Sequence, residues 1–468
     1  MRALVFVPPL LLLPTLGGCM MGPNYKGAPP PPASMGNSFL RTDQVSMPAT
    51  PQLTPWWREL NDPLLDQLIG RALSSNPAID IAEARVRQAR AQLRSSRAAL
   101  APVVGTGAGA GNIQASRLVT GGEAKSSSLF LAGFDALWEI DLFGGARRNI
   151  EATRAQFEAA QADAENTRLS LTAEIARQYL ALRASRQRLD LARRLLANQQ
   201  KIANLTAQLE GAGKLSRIER DQADRTVEVR RQAIAALEAD RNDRKDAIAV
   251  LLGEAPGALD AMLDGTGPVP LPPAAVPVGD PTAMLARRPD IRAAEQHLHA
   301  ANAGIGVAEA ARMPKVSLAG VVGLGSAMKG DIASADNLWS LAGPTIQWNL
   351  ADFGRGRAGV LQAVAGRDEA AAAYRAAVLV ALQDAESSLN RFGEARKAFA
   401  MQTRNSLLAD HSAGLAQQSC RAGRSSALAA LAAENDQLAA ADLQIQARMA
   451  LTTQFVALQK ALAMGVSG

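Results

Sequence analysis

Few residues in this chain have the type and spacing that enzymatic chemistry requires. The glycine-rich residues 105–111 superficially resemble a phosphate-binding loop, but they follow a predicted helix and Pro102 instead of joining a strand to a helix. His297 and His299 are two residues apart on a predicted helix and so point in different directions, whereas a metal pair would use positions four apart. His411 is isolated in the sequence, and no nucleophile motif is present. The sequence therefore predicts no catalytic residue, no metal site and no bound cofactor.

One residue near the N-terminus is positioned for covalent modification. A short apolar stretch is followed by Leu-Gly-Gly at residues 16–18 and then by Cys19. About 15 apolar residues are too few to span a bilayer as a helix, so residues 1–18 are predicted to be a signal peptide. The run before Cys19 resembles the lipobox of bacterial lipoproteins, which implies that Cys19 becomes the acylated N-terminus. Met20 in place of aspartate implies by the same resemblance that no inner-membrane retention signal is present. The alternative is an ordinary signal peptide followed by an incidental cysteine.

The charge distribution argues against nucleic-acid binding. The 50 Lys and Arg residues and the 44 Asp and Glu residues are intermixed along the predicted helices, so the net charge of +6 forms no basic patch. Apolar residues make up 48% of the chain but aromatic residues only 4%. This composition favours long, closely packed helices over a thick globular core.

The chain repeats itself once. Two pairs of prolines lie 212 residues apart, and three other pairs of identical residues lie 210 residues apart. The pairs are Pro77 and Pro289, Pro102 and Pro314, Trp138 and Trp348, Gly144 and Gly354, and Gly213 and Gly423. A period this long implies two copies of a whole module, made of a helix, two strands and a helical hairpin. We expect a lipid-anchored extended tether at residues 19–60, a first repeat at 61–270 and a second at 271–468.

Each repeat contains a helix of unusual length. Residues 146–210 include no Pro and no Gly, and residues 355–419 are similarly rich in helix-forming residues. A run of about 65 residues corresponds to roughly 97 Å of helix, whereas ordinary helices average about 11 to 12 residues. Shorter helices are predicted at about 214–252 and 424–464, after a glycine-bearing corner. In each repeat, the length of this shorter helix plus that of the helix before the strands is close to the length of the long helix. We therefore expect the two shorter helices to stack end to end beside the long one.

Alternating sequence patterns predict membrane-length strands. In residues 130–142 every even position is apolar, while Asp135 and Glu139 lie at odd positions. The second copy is expected to repeat this strand between residues 315 and 325. Strands of about 11 to 13 residues cross an outer membrane when tilted, although a soluble β-sandwich would use the same alternation. The aromatic residues expected to form a girdle near the strand ends are Trp138, Phe143, Trp339, Trp348 and Phe353.

A four-stranded sheet cannot close into a barrel alone, and a sheet in lipid tolerates no open edge. Three copies would supply 12 strands, enough to enclose an aqueous lumen. The predicted fold is therefore an α+β membrane protein with an internal two-fold repeat. It would be a homotrimer whose 12-stranded β-barrel is continued by a long α-helical barrel.

These features together resemble the outer-membrane efflux factor family, the trimeric channel-tunnels that include TolC, and specifically its lipid-anchored, OprM-like and NodT-type branch. The resemblance covers nearly the whole chain and depends on the order of the elements, repeated at one spacing. Its local marks are the lipobox, Trp56-Trp57, Asp62-Pro63, Asn76-Pro77, Arg288-Pro289-Asp290-Ile291 and residues 348–355. It implies a passive conduit, lipid-anchored in the bacterial outer membrane with a large periplasmic portion. Such a conduit receives drugs, solvents or metal ions from an inner-membrane pump, expected to be of the RND type, through a periplasmic adaptor protein.

The resemblance also implies that the hairpin tips form the gate and the adaptor contacts. Relatives such as TolC place aspartates six and nine positions after the tip glycine of the second repeat. Counted from Gly423, these positions are Ala429 and Ala432 here, so the acidic ring is not expected in that form.

In the first repeat, Glu219 occupies the position six residues after the tip residue Gly213, and Asp221 lies close by. These acids are candidates for ion pairs that hold the closed state, with Arg424 as a possible partner. The alternative is that they are solvated charges on a helix surface, where ion pairs contribute only about 0 to 1 kcal/mol.

Two other functions stay open at the level of the sequence. The same fold would serve an outer-membrane channel of a type I protein secretion system. A non-conducting structural coiled-coil lipoprotein is the alternative of another class.

Overall fold

A computed structural model describes residues 20–30, 35–41, 46–47, 55–115, 125–265, 267–326 and 334–465. The predictions for the signal peptide and Cys19 lie outside these residues. The chain forms two compact units, one of residues 1–29, 86–160 and 294–374, the other of residues 30–85, 161–293 and 375–468. Each unit takes residues from both sequence repeats. The units and the repeats are therefore different divisions of the chain.

The helices of the described residues repeat in length as well as in order. They are α1 Pro63–Ser75, α2 Pro77–Ala98, α3 Gly145–Gly211, α4 Arg217–Leu251, α5 Asp260–Leu263, α6 Pro281–Arg287, α7 Pro289–Ala310, α8 Arg355–Arg421 and α9 Ala427–Ala461. Both α3 and α8 have 67 residues, α4 and α9 have 35, and α2 and α7 have 22. Two short 3-10 helices lie at Trp56–Leu60 and Ala335–Asn337. Within the described residues, none of the helices combines the length and the hydropathy of a membrane span.

Helix α1 begins as its sequence predicts. The Asp62 carboxylate accepts hydrogen bonds from the backbone N–H groups of Leu64 and Leu65, and Pro63 occupies the first helical position. Asp62 also accepts from the Tyr179 hydroxyl at 2.8 Å, which attaches the start of α1 to the long helix α3. Burial, with the hydrogen bond to Asp62 next, raises the pKa of Tyr179 above its ordinary value. The phenol therefore stays a donor in this contact.

Two helix-to-helix junctions confirm that the shorter helices stack end to end. The Asn76 side chain, just before α2, donates to the Leu251 carbonyl at the end of α4 over 2.7 Å. In the second repeat the Arg288 guanidinium, just before α7, donates to the Ala461 carbonyl at the end of α9 over 2.9 Å. These donors satisfy carbonyls that a helix end leaves without a partner. The stacked helices, of 22 and 35 residues, are each shorter than predicted because capping and turn residues separate them.

Four strands form one antiparallel sheet in the order β2-β3-β5-β6. The strands are β2 Val103–Ala115, β3 Lys125–Ile140, β5 Lys315–Ser326 and β6 Leu338–Gln347. The prediction that each chain supplies a sheet of four long strands is confirmed within the described residues. The assignment of residues 315–325 as the copy of the strand at 130–142 is wrong, because β5 follows its helix as β2 does and the copy of β3 is β6. A period of two cannot distinguish neighbouring strands, so the alternation alone could not give this correspondence.

The segment predicted as a tether contains some regular structure. Strand β1, Ser46–Met47, pairs in parallel with β4, Val276–Pro277. In the following 3-10 helix, Trp56 is 1% exposed and its ring meets the edge of Phe455 at a centroid distance of 6.2 Å. Trp56 therefore anchors this end of the segment against Phe455 of α9, whose ring also lies 6.2 Å from that of Phe392 of α8.

Candidate functional site

The pairing register assigns the strand residues to two different faces of the sheet. Phe134 pairs with Val322 on one face, which we call the Phe134 face, and these side chains are 60% and 45% exposed. Asp135 and Glu139 lie on the opposite face, the Asp135 face, where the Lys315 ammonium is 3.6 Å from the Glu139 carboxylate. A strand with an apolar face and a charged face is typical of a barrel wall between lipid and water.

The two equivalent tryptophans make the same contact. The Trp138 indole N–H donates to the Leu100 carbonyl over 2.8 Å, and the Trp348 indole N–H donates to the Arg312 carbonyl over 3.1 Å. Each carbonyl lies just after the helix that precedes the first strand of its repeat, where a helix end leaves carbonyls free. Both indoles remain partly exposed, at 37% and 54%. The sheet is thus fastened to a helix end in the same way in each repeat.

The other girdle candidates lie in different settings. Trp339 pairs with Gly323 on the Asp135 face, so it does not share a surface with Trp138. Phe353 is 95% exposed, with a backbone φ of 53°. Its equivalent Phe143 is half-buried. The girdle thus stays a prediction, for which Trp138 on the Phe134 face and the exposed Trp348 and Phe353 beyond β6 are the remaining candidates.

The two hairpin tips are built from the same turn. Gly213, with a φ of 68°, donates its N–H to the Glu210 carbonyl, and Lys214 donates to the Leu209 carbonyl, each over 2.8 Å. This pair of bonds is a Schellman motif, whose left-handed residue favours glycine because it has no Cβ. Gly423 has a φ of 70° and the equivalent pair of bonds. The predicted tip glycines are therefore required by the backbone of the turn.

The tips differ in how the returning helix begins. Ser216 caps α4, and its backbone N–H donates to the Glu219 carboxylate over 2.7 Å, which completes a capping box. Ser426 caps α9 in the same way, but Ala429 replaces the glutamate. The bonds from Ser216 hold the pKa of Glu219 below its ordinary value. Glu219 therefore has a local structural role that the sequence reasoning did not assign to it.

The charged residues at the first tip pair with one another within the hairpin. Arg220 lies 3.4 Å from the Glu210 carboxylate and 3.9 Å from that of Asp224. Among the described residues of one protomer, neither Glu219 nor Asp221 forms an ion pair with Arg424. A gate ion pair between those residues stays a prediction about contacts between protomers.

One of the ion pairs between the two repeats joins α3 to α9. The Arg188 guanidinium of α3 donates to the Asp442 carboxylate of α9 over 2.7 Å and 3.4 Å, in a two-pronged contact. Gln446 donates to the same carboxylate over 2.7 Å. The two charged side chains are 35% and 27% exposed, so solvent screens the pair in part. A relative movement of these two helices would have to break this contact.

A buried arginine holds the segment that follows Cys19. Arg148 of α3 is 2% exposed and donates to the Met21 carbonyl over 2.9 Å, to the Gly22 carbonyl over 3.1 Å and to the Asn24 side chain over 2.7 Å. Its remaining partner is the Glu151 carboxylate, at 2.7 Å. In addition, the Met21 N–H donates to the Phe143 carbonyl over 3.1 Å. The residues next to the predicted lipid anchor are therefore fixed beside the corner that follows β3.

The same segment carries a stacked pair of rings. The Tyr25 ring lies on the His299 ring at 4.3 Å with an angle of 12°, and His299 Nε2 lies 3.1 Å from the Glu151 carboxylate. Burial, together with the nearby Glu295 carboxylate, raises the pKa of Tyr25 to about 12. His299 is thus part of a packed cluster. Within the described residues, no group of three or more His, Cys, Asp or Glu side chains is placed to hold a metal ion.

Sequence reasoning missed Arg148, the Tyr25–His299 stack and the Arg188–Asp442 pair. Arg148 has no equivalent in the second repeat, where Ala358 occupies the matching position. Period and spacing therefore gave no signal for it. The other contacts join residues more than 250 positions apart, which a single sequence cannot bring together.

Comparisons with known proteins agree with this architecture. The sequence model of the family described as "Outer membrane efflux protein" matches residues 68–254 and 281–464. The chain is 32% identical to outer membrane protein OprJ of Pseudomonas aeruginosa, over 82% of this chain and 80% of that protein. It is 30% identical to the toluene efflux pump outer membrane protein TtgF of Pseudomonas putida, over 96% of this chain and 95% of that protein. The solved structure of the outer-membrane channel OprN superposes with a TM-score of 0.87 at 33% identity, covering 96% of this chain and all of that one.

The family match spans most of both repeats, and the solved structure has the same fold over nearly its whole length. The chain therefore belongs to the outer membrane efflux protein family and is the outer-membrane channel component of an efflux system.

Proposed function

We propose that three copies of this chain form one tunnel that conducts small molecules through the outer membrane. The inner-membrane pump supplies the energy and a periplasmic adaptor joins the pump to the tunnel. The observation that carries this proposal is the four-stranded sheet with two open edges, β2 and β6, in a chain with two 67-residue helices. Membrane-embedded edges need partners, and 12 strands enclose a water-filled lumen.

Small molecules are the favoured cargo because of the relatives' printed functions. TtgF is named for toluene efflux, and its similarity extends over nearly the whole chain. A wide tunnel needs no pocket that selects one compound. The chain conducts what its pump delivers.

The hairpin tips are proposed as the closable entrance and as the adaptor contact. Both tips carry the same glycine turn, closed by the same pair of backbone hydrogen bonds. The ion pair between Arg188 and Asp442 holds the long helix of the first repeat to the returning helix of the second. Opening is expected to shift one hairpin against the other, which is a change between two packed states.

Deletion of the gene tests the function directly. A strain without the protein is expected to lose tolerance to the solvents or drugs that the pump exports and to accumulate a fluorescent pump substrate, while protein secretion is unchanged. The wild-type chain should restore tolerance. Loss of a secreted protein with unchanged tolerance would favour the secretion channel instead.

A further inference from the structure

The sheet has two open edges that the described part of one protomer does not cover. Strands β2 and β6 lie at its ends, and all ten residues of β6 are exposed, including Leu341 at 70% and Ile346 at 71%. Each of the three pairings in the sheet is antiparallel, so β6 runs opposite to β2. A β6 edge of one copy can therefore continue the sheet through the β2 edge of a second copy.

The internal repeat is preserved in the pairing register. Val103 pairs with Leu137 in the β2–β3 hairpin, and Lys315 pairs with Gln347 in the β5–β6 hairpin. Adding 212 to the number of Val103 gives Lys315, and adding 210 to the number of Leu137 gives Gln347. The two hairpins are therefore equivalent residue by residue, with β2 matching β5 and β3 matching β6.

The pairing between the two hairpins is built around a close glycine contact. Gly133 of β3 pairs with Gly323 of β5. A Cβ on Gly133 would lie 2.6 Å from the Val322 carbonyl oxygen, and a Cβ on Gly323 would lie 2.7 Å from the Ala132 carbonyl oxygen. No side chain fits at those distances. The β3–β5 approach thus requires glycine at both positions.

The same shifts locate an equivalent pair on the open edges. Gly133 moved by 210 is Gly343 of β6, and Gly323 moved back by 212 is Gly111 of β2. Both positions hold glycine and both are exposed. A Cβ added at either position would have no atom of the described residues within 4 Å. The protomer alone gives no reason for glycine at these two sites.

We propose that β6 of one protomer pairs with β2 of a second copy in the register that sets Gly343 opposite Gly111. The neighbouring pairs are then Thr345 opposite Gly109 and Ile346 opposite Ala108. The interface between protomers repeats the β3–β5 interface within the chain, with the same close approach of two glycines. This inference rests on the trimeric channel proposed above and adds the register and the contact that fix its closure.

Other glycines of β2 do not have a glycine at the equivalent position of β5, unlike Gly111. Gly109 corresponds to Val321 and Gly107 to Ala319 in the second repeat. Glycine is therefore not a general requirement along this strand. Gly109 supplies a matched control, because its equivalent position already holds valine.

Disulfide cross-linking tests the register. Paired residues on neighbouring antiparallel strands have Cα atoms about 4.5 to 5.5 Å apart, within disulfide range, whereas diagonal residues lie about 7 to 8 Å apart. In a Cys420→Ser background, Ala108→Cys with Ile346→Cys should convert the monomer band on a non-reducing denaturing gel into a covalent trimer after oxidation with copper–phenanthroline. Pairing Ile346→Cys with Thr106→Cys or Ala110→Cys should leave the monomer band. Stronger cross-linking of either offset pair would overturn the register while leaving the trimeric channel intact.

Valine substitutions test the glycine contact. Gly111→Val and Gly343→Val should each reduce the native trimer on a non-denaturing gel, and Gly109→Val should not. If all three variants assemble like the wild type, the close glycine contact is refuted. If the unsubstituted protein itself stays monomeric in outer-membrane extracts, both this inference and the trimeric channel are contradicted.

Discussion

Replacing Arg148 by methionine should release the segment that joins the predicted lipid anchor to the body of the protein. The guanidinium makes four hydrogen bonds, to Met21, Gly22, Asn24 and Glu151, from a position that is 2% exposed. A hydrogen bond to a charged group contributes about 1.5 to 3 kcal/mol. When the segment opens, its freed groups bind water, so the four bonds contribute less than their sum. The substitution is therefore expected to lower the free energy of opening of the segment by about 3 kcal/mol. Methionine retains an unbranched apolar stem but lacks the guanidinium, so the loss is mainly of these bonds.

Hydrogen–deuterium exchange of the Met21 amide measures this opening. That amide donates to the Phe143 carbonyl over 3.1 Å, so it exchanges when the segment detaches. A loss of about 3 kcal/mol predicts exchange faster by about 100-fold, since each 1.4 kcal/mol corresponds to about tenfold. Asn24→Ala removes one of the four contacts and should give about tenfold. Arg154→Met, at an exposed position of the same helix, is the control and should change nothing. Equal exchange in Arg148→Met and Arg154→Met would refute the clamp.

Three further predictions follow from the ion pair, the first tip and the tyrosines. Asp442→Asn weakens a partly screened ion pair worth about 1 kcal/mol, so the open fraction in planar bilayers should rise about 5-fold. Asp436→Asn is the control, because Asp436 of the same helix forms no ion pair with the described residues, and it should leave the current unchanged. Because the folded pKa of Glu219 is lowered, its cap stabilises the tip above about pH 4.5 and is lost as the pH falls through that lower value. Exchange at the first tip should therefore rise in acid in the wild type but not in Glu219→Gln, and the second tip, with Ala429, should not show the change. All three tyrosines have raised pKa values, with Tyr25 at about 12, so native protein should show little tyrosinate absorbance at 295 nm at pH 10, whereas protein in guanidinium chloride should titrate near 10. Because the tyrosine pKa values are higher in the folded protein, the contribution of these residues to the free energy of unfolding is complete below about pH 10 and is lost as the pH rises towards 12.

The long-range order of the elements could be predicted because the sequence repeats it. Helix α3 follows from a run without proline or glycine, and helix α8 follows from a proline-free run rich in helix-forming residues. The ends of both helices follow from the tip glycines, whose left-handed backbone other residues rarely adopt. The N-cap of α1 is equally local, since Asp62 and Pro63 are adjacent in the chain. Such features depend on neighbouring residues, and neighbouring residues are what a single sequence shows.

The contacts that fasten the elements together could not be predicted. Alternation in residues 130–142 identified a strand but not its copy, because a period of two describes every strand of the sheet. The sequence made Glu219 a gate candidate, which stays a prediction, but the capping box that its carboxylate completes with Ser216 was not foreseen. That box could have been recognised, since a serine followed three residues later by glutamate before a helix is its signature. The Arg148 clamp has no such signature, because its partners lie more than 120 residues away.

The register proposed for the open edges uses both kinds of information. The shift comes from the sequence repeat, and the need for glycine comes from the packing of Gly133 against Val322. Neither alone would identify Gly111 and Gly343.

Single-channel recording on the purified trimer in planar bilayers tests whether this chain forms a channel. Discrete current steps of uniform size are expected from the wild-type protein and from Asp442→Asn, with more frequent opening in the variant. Gly111→Val protein, which should not assemble, is expected to give no steps. A trimer that demonstrably inserts into the bilayer and conducts no ions in either the wild type or Asp442→Asn would contradict the claim that this chain forms an outer-membrane channel.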